Sequence, residues 1–237
     1  LQQTIGACPA SVSIVPFGET AVTLAFGQGI HPELHRQVKA VSHYLDNNPF
    51  PGLVEYVAAF ASVTVFYDPV RLDGDTVAAR LQAIVSQLEQ EPPGTPRVVE
   101  IPVCYGGEFG PDLGFVAQHN SLTVDAVIEL HSGGRYLVYM LGFAPGFPYL
   151  GGMPEQIAAP RRESPRPAIP AGSVGIAGLQ TGVYPITTPG GWQLIGRTPL
   201  DLFCPAADPP TLLCAGDLIR FRPICPQEYR QLKGAGQ

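Results

Sequence analysis

At 237 residues, with 45% hydrophobic and 14% charged residues, the chain is long enough for one large domain or two modest ones and is not disordered. A net charge of −6, with lysine only at Lys39 and Lys233, excludes nucleic acid and anionic membranes as default partners. The 27 glycines and 26 prolines suit short strands joined by tight turns rather than a helical protein.

No run of about 18 apolar residues exists, so no membrane-spanning helix is expected. The N-terminus, LQQTIGACPASVSIVPFG, lacks the basic and apolar regions of a signal peptide. Cys8, Cys104, Cys204, Cys214 and Cys225 are odd in number, widely spaced and without a CxxC pair. They fit neither a disulfide framework nor a zinc site, so the expectation is a cytoplasmic protein with reduced thiols and no metal or prosthetic group.

In chain order, Ser11 to Phe17 and Ala21 to Phe26 alternate as two strand segments or one bent strand. Pro32 opens a helix with Leu34, Val38, Val41 and Leu45 on one face. His31 and His35 stand four apart, but Pro32 and Glu33 break the metalloprotease pattern, so both are read as solvent-facing. Leu53 to Ala59 and Ser62 to Tyr67 read as a hairpin. Asp73 can cap a helix carrying Val77, Leu81, Ile84, Val85 and Leu88. Glu91 to Pro96 is the best linker, which places the domains at 1–95 and 96–237. Val98 to Val103 is a strand that closes the first unit or enters the second. The order strand, helix, strand, strand, helix, strand is ferredoxin-like, and the fold class is α+β.

Beyond it, Asp112 can cap a short helix to His119, and Thr123 another carrying Val124, Val127, Ile128 and His131. Arg135 to Leu141, Val174 to Ile176, Gly182 to Ile186, Gln193 to Ile195, Leu200 to Phe203 and Leu218 to Phe221 read as short strands, hence a closed barrel or a sandwich. The last ten residues are polar and expected to fray.

The central stretch concentrates the chemistry. Arg135, Arg161, Arg162, Arg166 and Arg197 face only Glu155 and Glu163. Guanidinium forks bind carboxylate and phosphate, and Pro160, Pro165, Pro167 and Pro170 stiffen the loop that carries three of them. The bland alternative is solvated surface charge. Phe143, Phe147, Tyr149 and Trp192 are either core plugs or a partner surface. No GxxxxGK[ST] and no GxSxG occur, and Gly172 to Gly178 lacks the strand-to-helix setting of a phosphate loop.

Three segments, YMLGFAPGFPYLGGMP, APRRESPRPAIPAGSVGIAGLQTGVYP and TPGGWQLIGRTP, resemble the 5-oxoprolinase B-subunit family. That family is also known as allophanate hydrolase subunit 1 and includes the sporulation-kinase inhibitor KipI. IPVCYGGEFGPDL, IVPFGETAVTLAF and VTVFYDP are similar too, so the resemblance runs from about residue 11 to 225. It implies a ferredoxin-like N-terminal sandwich followed by a cyclophilin-like β-barrel. It also implies two partners, a C subunit homologous to this chain and an A subunit. The assembly opens 5-oxoproline to glutamate, with ATP as co-substrate of the complex.

On that reading Arg161, Arg162 and Arg166 hold carboxylate or phosphate. Backbone N–H groups around Gly142, Gly146, Gly190 and Gly191 add donors, and Phe143, Phe147, Tyr149 and Trp192 belong to the pocket. His131 is the candidate for proton transfer, set against a structural histidine at a helix end. Two alternatives share the motifs: a KipI-like inhibitor docked on a histidine kinase, and a subunit of an allophanate hydrolase or urea carboxylase.

Overall fold

The computed structural model describes residues 12–29, 31–88 and 96–235. Contacts divide the chain into two compact units, Leu1–Thr95 and Pro96–Gln237. The linker segment 91–95 and Cys8 lie outside the described residues. Among the described residues no helix is long and apolar enough to cross a membrane.

In the first unit, β1 (Ser13–Pro16), β2 (Ala21–Ala25), β3 (Leu53–Ala58) and β4 (Ser62–Tyr67) form an antiparallel sheet in the order β1-β2-β4-β3. Alternation in β4 buries Val63, Val65 and Tyr67 beneath α1 (Pro32–Asn47) and α2 (Gly74–Leu88). The helices answer with Val38, Val41 and Leu45, and with Val77, Leu81, Ile84 and Val85. Asp73 caps α2, its Oδ1 accepting from Thr76 N–H at 2.7 Å. His35 is a correction. It is buried on the same stripe of α1, three residues before Val38, where helical periodicity rather than polarity sets its direction. Burial, with Lys39 nearby, pushes its imidazole down to about 4.

The strand after the linker, β5 (Val98–Tyr105), belongs to the second unit. The first unit therefore runs strand-strand-helix-strand-strand-helix, with β1 supplying the fourth strand. In the second unit a seven-stranded sheet runs β10-β9-β12-β5-β13-β6-β7. Its strands are β6 (Tyr136–Leu141), β7 (Pro148–Gly151), β9 (Ser173–Ala177), β10 (Gln180–Val183), β12 (Gln193–Arg197) and β13 (Leu218–Pro223), besides β5. β5 and β13 pair parallel and the other neighbours antiparallel. The outermost strands, β10 and β7, also come together, so the sheet curls into a nearly closed barrel. A two-stranded ribbon of β8 (Arg166–Ile169) and β11 (Thr188–Gly190) is set apart from it. The helices α3 (Leu113–His119) and α4 (Val124–Gly133) pack on β12 and β13 respectively.

Three expectations change here. β7, β8 and β11 arise inside the stretch read as turns, because glycine and proline there mask short strands. Leu200 to Phe203 is not a strand: Leu202 is a buried plug and Phe203 makes one isolated bridge to Thr211. The polar end is a helix, α5 (Pro226–Ala235), held by buried Tyr229 against Phe109 with ring centroids 4.6 Å apart.

Candidate functional site

The arginine-bearing loop between residues 160 and 166 is strapped to the barrel at several points. Arg162 N–H donates to Gly191 O at 2.7 Å, and Gln193 Nε2 donates to Pro160 O at 2.9 Å. Ala159 and Gly178 bond each other reciprocally at its foot. A further strap is electrostatic and centres on Asp112. That residue occupies the N-cap position of α3 but makes no capping bond. Its side chain, only 8% exposed, turns the other way. Oδ2 accepts from Leu194 N–H at 2.7 Å, and Oδ1 accepts from Arg166 Nη2 at 2.9 Å and Arg162 Nη1 at 3.3 Å. A buried carboxylate requires such partners, and this one uses strand β12 and the arginines in place of its own helix.

Beside this cluster lies a cleft of about 480 Å³ whose lining includes Asp112, Phe115, Arg161, Arg162, Glu163 and Gln193. Arg161 is exposed on it, Arg162 is 37% exposed, and Arg166 is 22% exposed. Arg162 Nε and Arg166 Nη1 are buried with no hydrogen-bond partner among the described residues. The arrangement can therefore hold an anion, with the charge of two arginines partly balanced by one fixed carboxylate.

The aromatics form a separate cluster. Phe147, Tyr184 and Trp192 are buried together with Ile169 and Leu194. Phe147 meets Tyr184 at 5.5 Å and Trp192 at 5.7 Å, both edge to face. Glycines make the room: a Cβ on Gly182 would stand 2.9 Å from Phe147, and one on Gly190 would stand 2.6 Å from Tyr184 Oη. Burial pushes the Tyr184 phenol up to about 12, against the pull of Arg161 and Arg166. Phe143 is the exception, 67% exposed at φ +68°, a backbone conformation costly to a residue with a Cβ. Gly142 N–H donates to Phe147 O, Ala144 N–H to Gly142 O and Phe147 N–H to Ala144 O, so this turn closes on itself. Those three N–H groups are not free for an anion, contrary to the expectation at Gly142.

The structure thus brings Arg161, Arg162 and Gln193 together around the cleft, with Gly191 bonded to Arg162 N–H through its carbonyl. Arg166 joins them through Asp112, pairing with Gly190 in the β8–β11 ribbon. Phe147, Tyr149 and Trp192 do not line it; its apolar wall is Phe115. His131 lies elsewhere, fully buried. Thr181 Oγ1 donates its proton to Gly175 O at 3.0 Å, so it must accept from His131 Nε2–H at 2.9 Å. Nδ1 is then the acceptor for Tyr105 O–H at 2.7 Å. Burial drives the imidazole down to about 3, so it is neutral and satisfied at both nitrogens. Asp112 was read from sequence only as a cap. The one signal for more was the scarcity of nearby carboxylates for so many arginines, which demands a counter-ion without saying where it comes from.

Gly172 to Gly178 is also resolved: most of it is the buried strand β9, and a Cβ on Gly172 would meet Thr198 O at 2.4 Å. It is not a phosphate cradle. Among the described residues no group of three or more His, Cys, Asp or Glu side chains is placed to hold a metal.

Residues 12–213 match the family described as carboxyltransferase domain, subdomain C and D. The chain is 51% identical over 230 residues to the 5-oxoprolinase B subunit of Bacillus subtilis (strain 168), covering 93% of this chain and 96% of that protein. It is 48% identical to the protein of the same name from Escherichia coli O157:H7, covering 87% and 93%. Among solved structures, TTHA0988 superposes with a TM-score of 0.76 at 40% identity over 86% of this chain. The match spans only 40% of that longer chain.

Proposed function

Because the chain belongs to the 5-oxoprolinase B-subunit family of carboxyltransferase-domain proteins, we propose that it is the B subunit of a 5-oxoprolinase, active only with its partners. The reaction is the ATP-dependent opening of 5-oxoproline to glutamate, and the A and C subunits supply what this chain lacks. The first unit is read as a ferredoxin-like sandwich, since β1 stands at the sheet edge that a C-terminal fourth strand would take. The second is read as a cyclophilin-like barrel, and the complex as cytoplasmic.

The observation that carries the site is the Asp112–Arg162–Arg166 cluster opening on the cleft. Arginine there neutralises and orients the substrate carboxylate, and Phe115 offers an apolar wall to its ring methylenes. The glycine run, buried as β9, offers no phosphate cradle, and ATP is read as co-substrate of the assembled complex. His131 is given a structural role, because neither ring nitrogen is left to move a proton to substrate. A KipI-like inhibitor would need an aromatic contact surface. Of the four aromatics singled out, only Phe143 is exposed, so the enzyme-subunit reading takes precedence.

The test is reconstitution: this chain mixed with the purified A and C subunits, with ATP-dependent glutamate formation followed over time. Turnover is expected only when all three are present; equal turnover without this chain overturns the proposal.

A further inference from the structure

Arg162 and Arg166 share one carboxylate, and they share it unequally. Asp112 Oδ2 is closed by Leu194 N–H at 2.7 Å, and Oδ1 by Arg166 Nη2 at 2.9 Å. Arg162 Nη1 reaches the same Oδ1 only at 3.3 Å, longer than charge-assisted bonds usually are. Arg166 is the more enclosed and begins β8, whose pairing with β11 fixes its backbone. Arg162 is more exposed and lines the cleft. Asp112 therefore stays satisfied when Arg162 leaves it. Taken together, Arg161, Arg162 and Arg166 face only Asp112 and Glu163 around the cleft, a formal excess of one positive charge, and Arg162 is the less tightly held of the two arginines on Asp112.

We propose that Asp112 splits the pair into a fixed anchor and a movable arm. Arg166 holds the loop in shape, and Arg162 swings from Asp112 to grip a ligand that carries a single carboxylate. Asp112, fixed behind the arm, repels a second negative charge, so the cleft takes a carboxylate monoanion in preference to a phosphate dianion. This rests on the anion site proposed above and adds the charge of its ligand and the residue that takes it.

The experiment titrates the isotope-labelled full chain with 5-oxoproline and, separately, with inorganic phosphate. Amide signals of Arg162, Gln193 and Leu194 are read, first for the chain alone and then with the A and C subunits present. Saturable shifts are expected with 5-oxoproline, and binding roughly tenfold weaker with phosphate, as one uncompensated like charge predicts. Arg162→Ala should abolish the shifts while keeping the melting temperature, and Arg162→Lys should restore part of the binding. Arg166→Ala should lower the melting temperature. In the assembled enzyme Arg162→Ala should raise KM for 5-oxoproline more than it lowers kcat. Asp112→Asn keeps an oxygen for Leu194 N–H but loses the charge, and should shift preference toward phosphate. If that variant does not fold, the wild-type preference and the Arg162 variants decide. Wild-type binding by Arg162→Ala, or phosphate bound as tightly as 5-oxoproline, overturns the division of labour while leaving the anion site standing. No shift with either anion, for the chain alone or in the three-part assembly, overturns the anion site itself.

Discussion

Among the polar side chains that the second unit buries, His131 and Asp112 are finished in opposite ways. His131 is neutral, fully enclosed, and bonded at both nitrogens to Tyr105 and Thr181. Asp112 is bonded just as completely, but one of its partners is a half-exposed arginine on the wall of a cleft. A closed neutral network specifies packing and exchanges nothing with solvent. A buried charge with one partner at the surface can trade that partner for a ligand at little cost to itself. The two residues looked alike in sequence, as polar residues at helix ends, and the difference lies in who their partners are.

The largest break in this comparison is Asp112→Ala. It strands Leu194 N–H and leaves two guanidinium groups without their carboxylate, and a loss of about 3 kcal/mol is expected, the range for removing one member of a buried pair. Trp192, the only tryptophan, sits buried in the same unit, so its fluorescence in a urea titration reads the change. A loss under about 1 kcal/mol would remove Asp112 from the centre of the loop's support.

Next in size is His131→Phe. Leaving the Tyr105 hydroxyl and Thr181 without a nitrogen partner should cost about 2 kcal/mol, with turnover per folded complex unchanged. A drop in kcat with no drop in stability would return His131 to the chemistry. The pH dependence sharpens the same point. The His131 imidazole is held down at about 3 from an ordinary 6.5, so the unfolded chain takes up a proton first as pH falls. Stability of the second unit should therefore decline from about pH 6.5 to about pH 3 and then level, and His131→Phe should flatten that decline. In the first unit His35 contributes the same sign, its share ending at about pH 4.

The smallest effect is expected at Arg162→Ala. A long, partly exposed ion pair of this kind contributes below about 1 kcal/mol, so thermal unfolding should barely move. A melting-temperature loss as large as that of Arg166→Ala would make Arg162 a second anchor and erase the contrast.

Much of the fold was legible because local rules govern it. The stripe Val38, Val41, Leu45 is a helix face wherever it is met, and Val63, Val65, Tyr67 is a strand with one side in a core. Thr123 caps α4 as its spacing says, its oxygen accepting from Ala126 N–H at 3.1 Å. Legibility failed where partners are remote. Asp112 looked like the same kind of cap, but a backbone donor from Leu194 and arginines some fifty positions away outbid its own helix. Tyr229 turned a polar tail into a docked helix by packing with Cys104 and Ile224 and against Phe109, with ion pairs from Glu228 and Lys233. At the candidate site the arginines and glycines stood out by composition. Phe115, Gln193 and the role of Asp112 did not, since each matters only by what lies across from it.

By itself the sequence determined the elements of the first unit, the turn-rich character of the second, and an arginine-rich segment stiffened by proline. These follow from periodicity, turn chemistry and charge, which act over a few residues. Only the tertiary structure decided that β5 joins the barrel, that His131 is sealed in the core, and that Arg162 and Arg166 meet a single carboxylate. The reason is physical: the cost of a buried charge or an unmet hydrogen bond is set by the groups that close around it, and chain folding brings those groups from anywhere in the sequence.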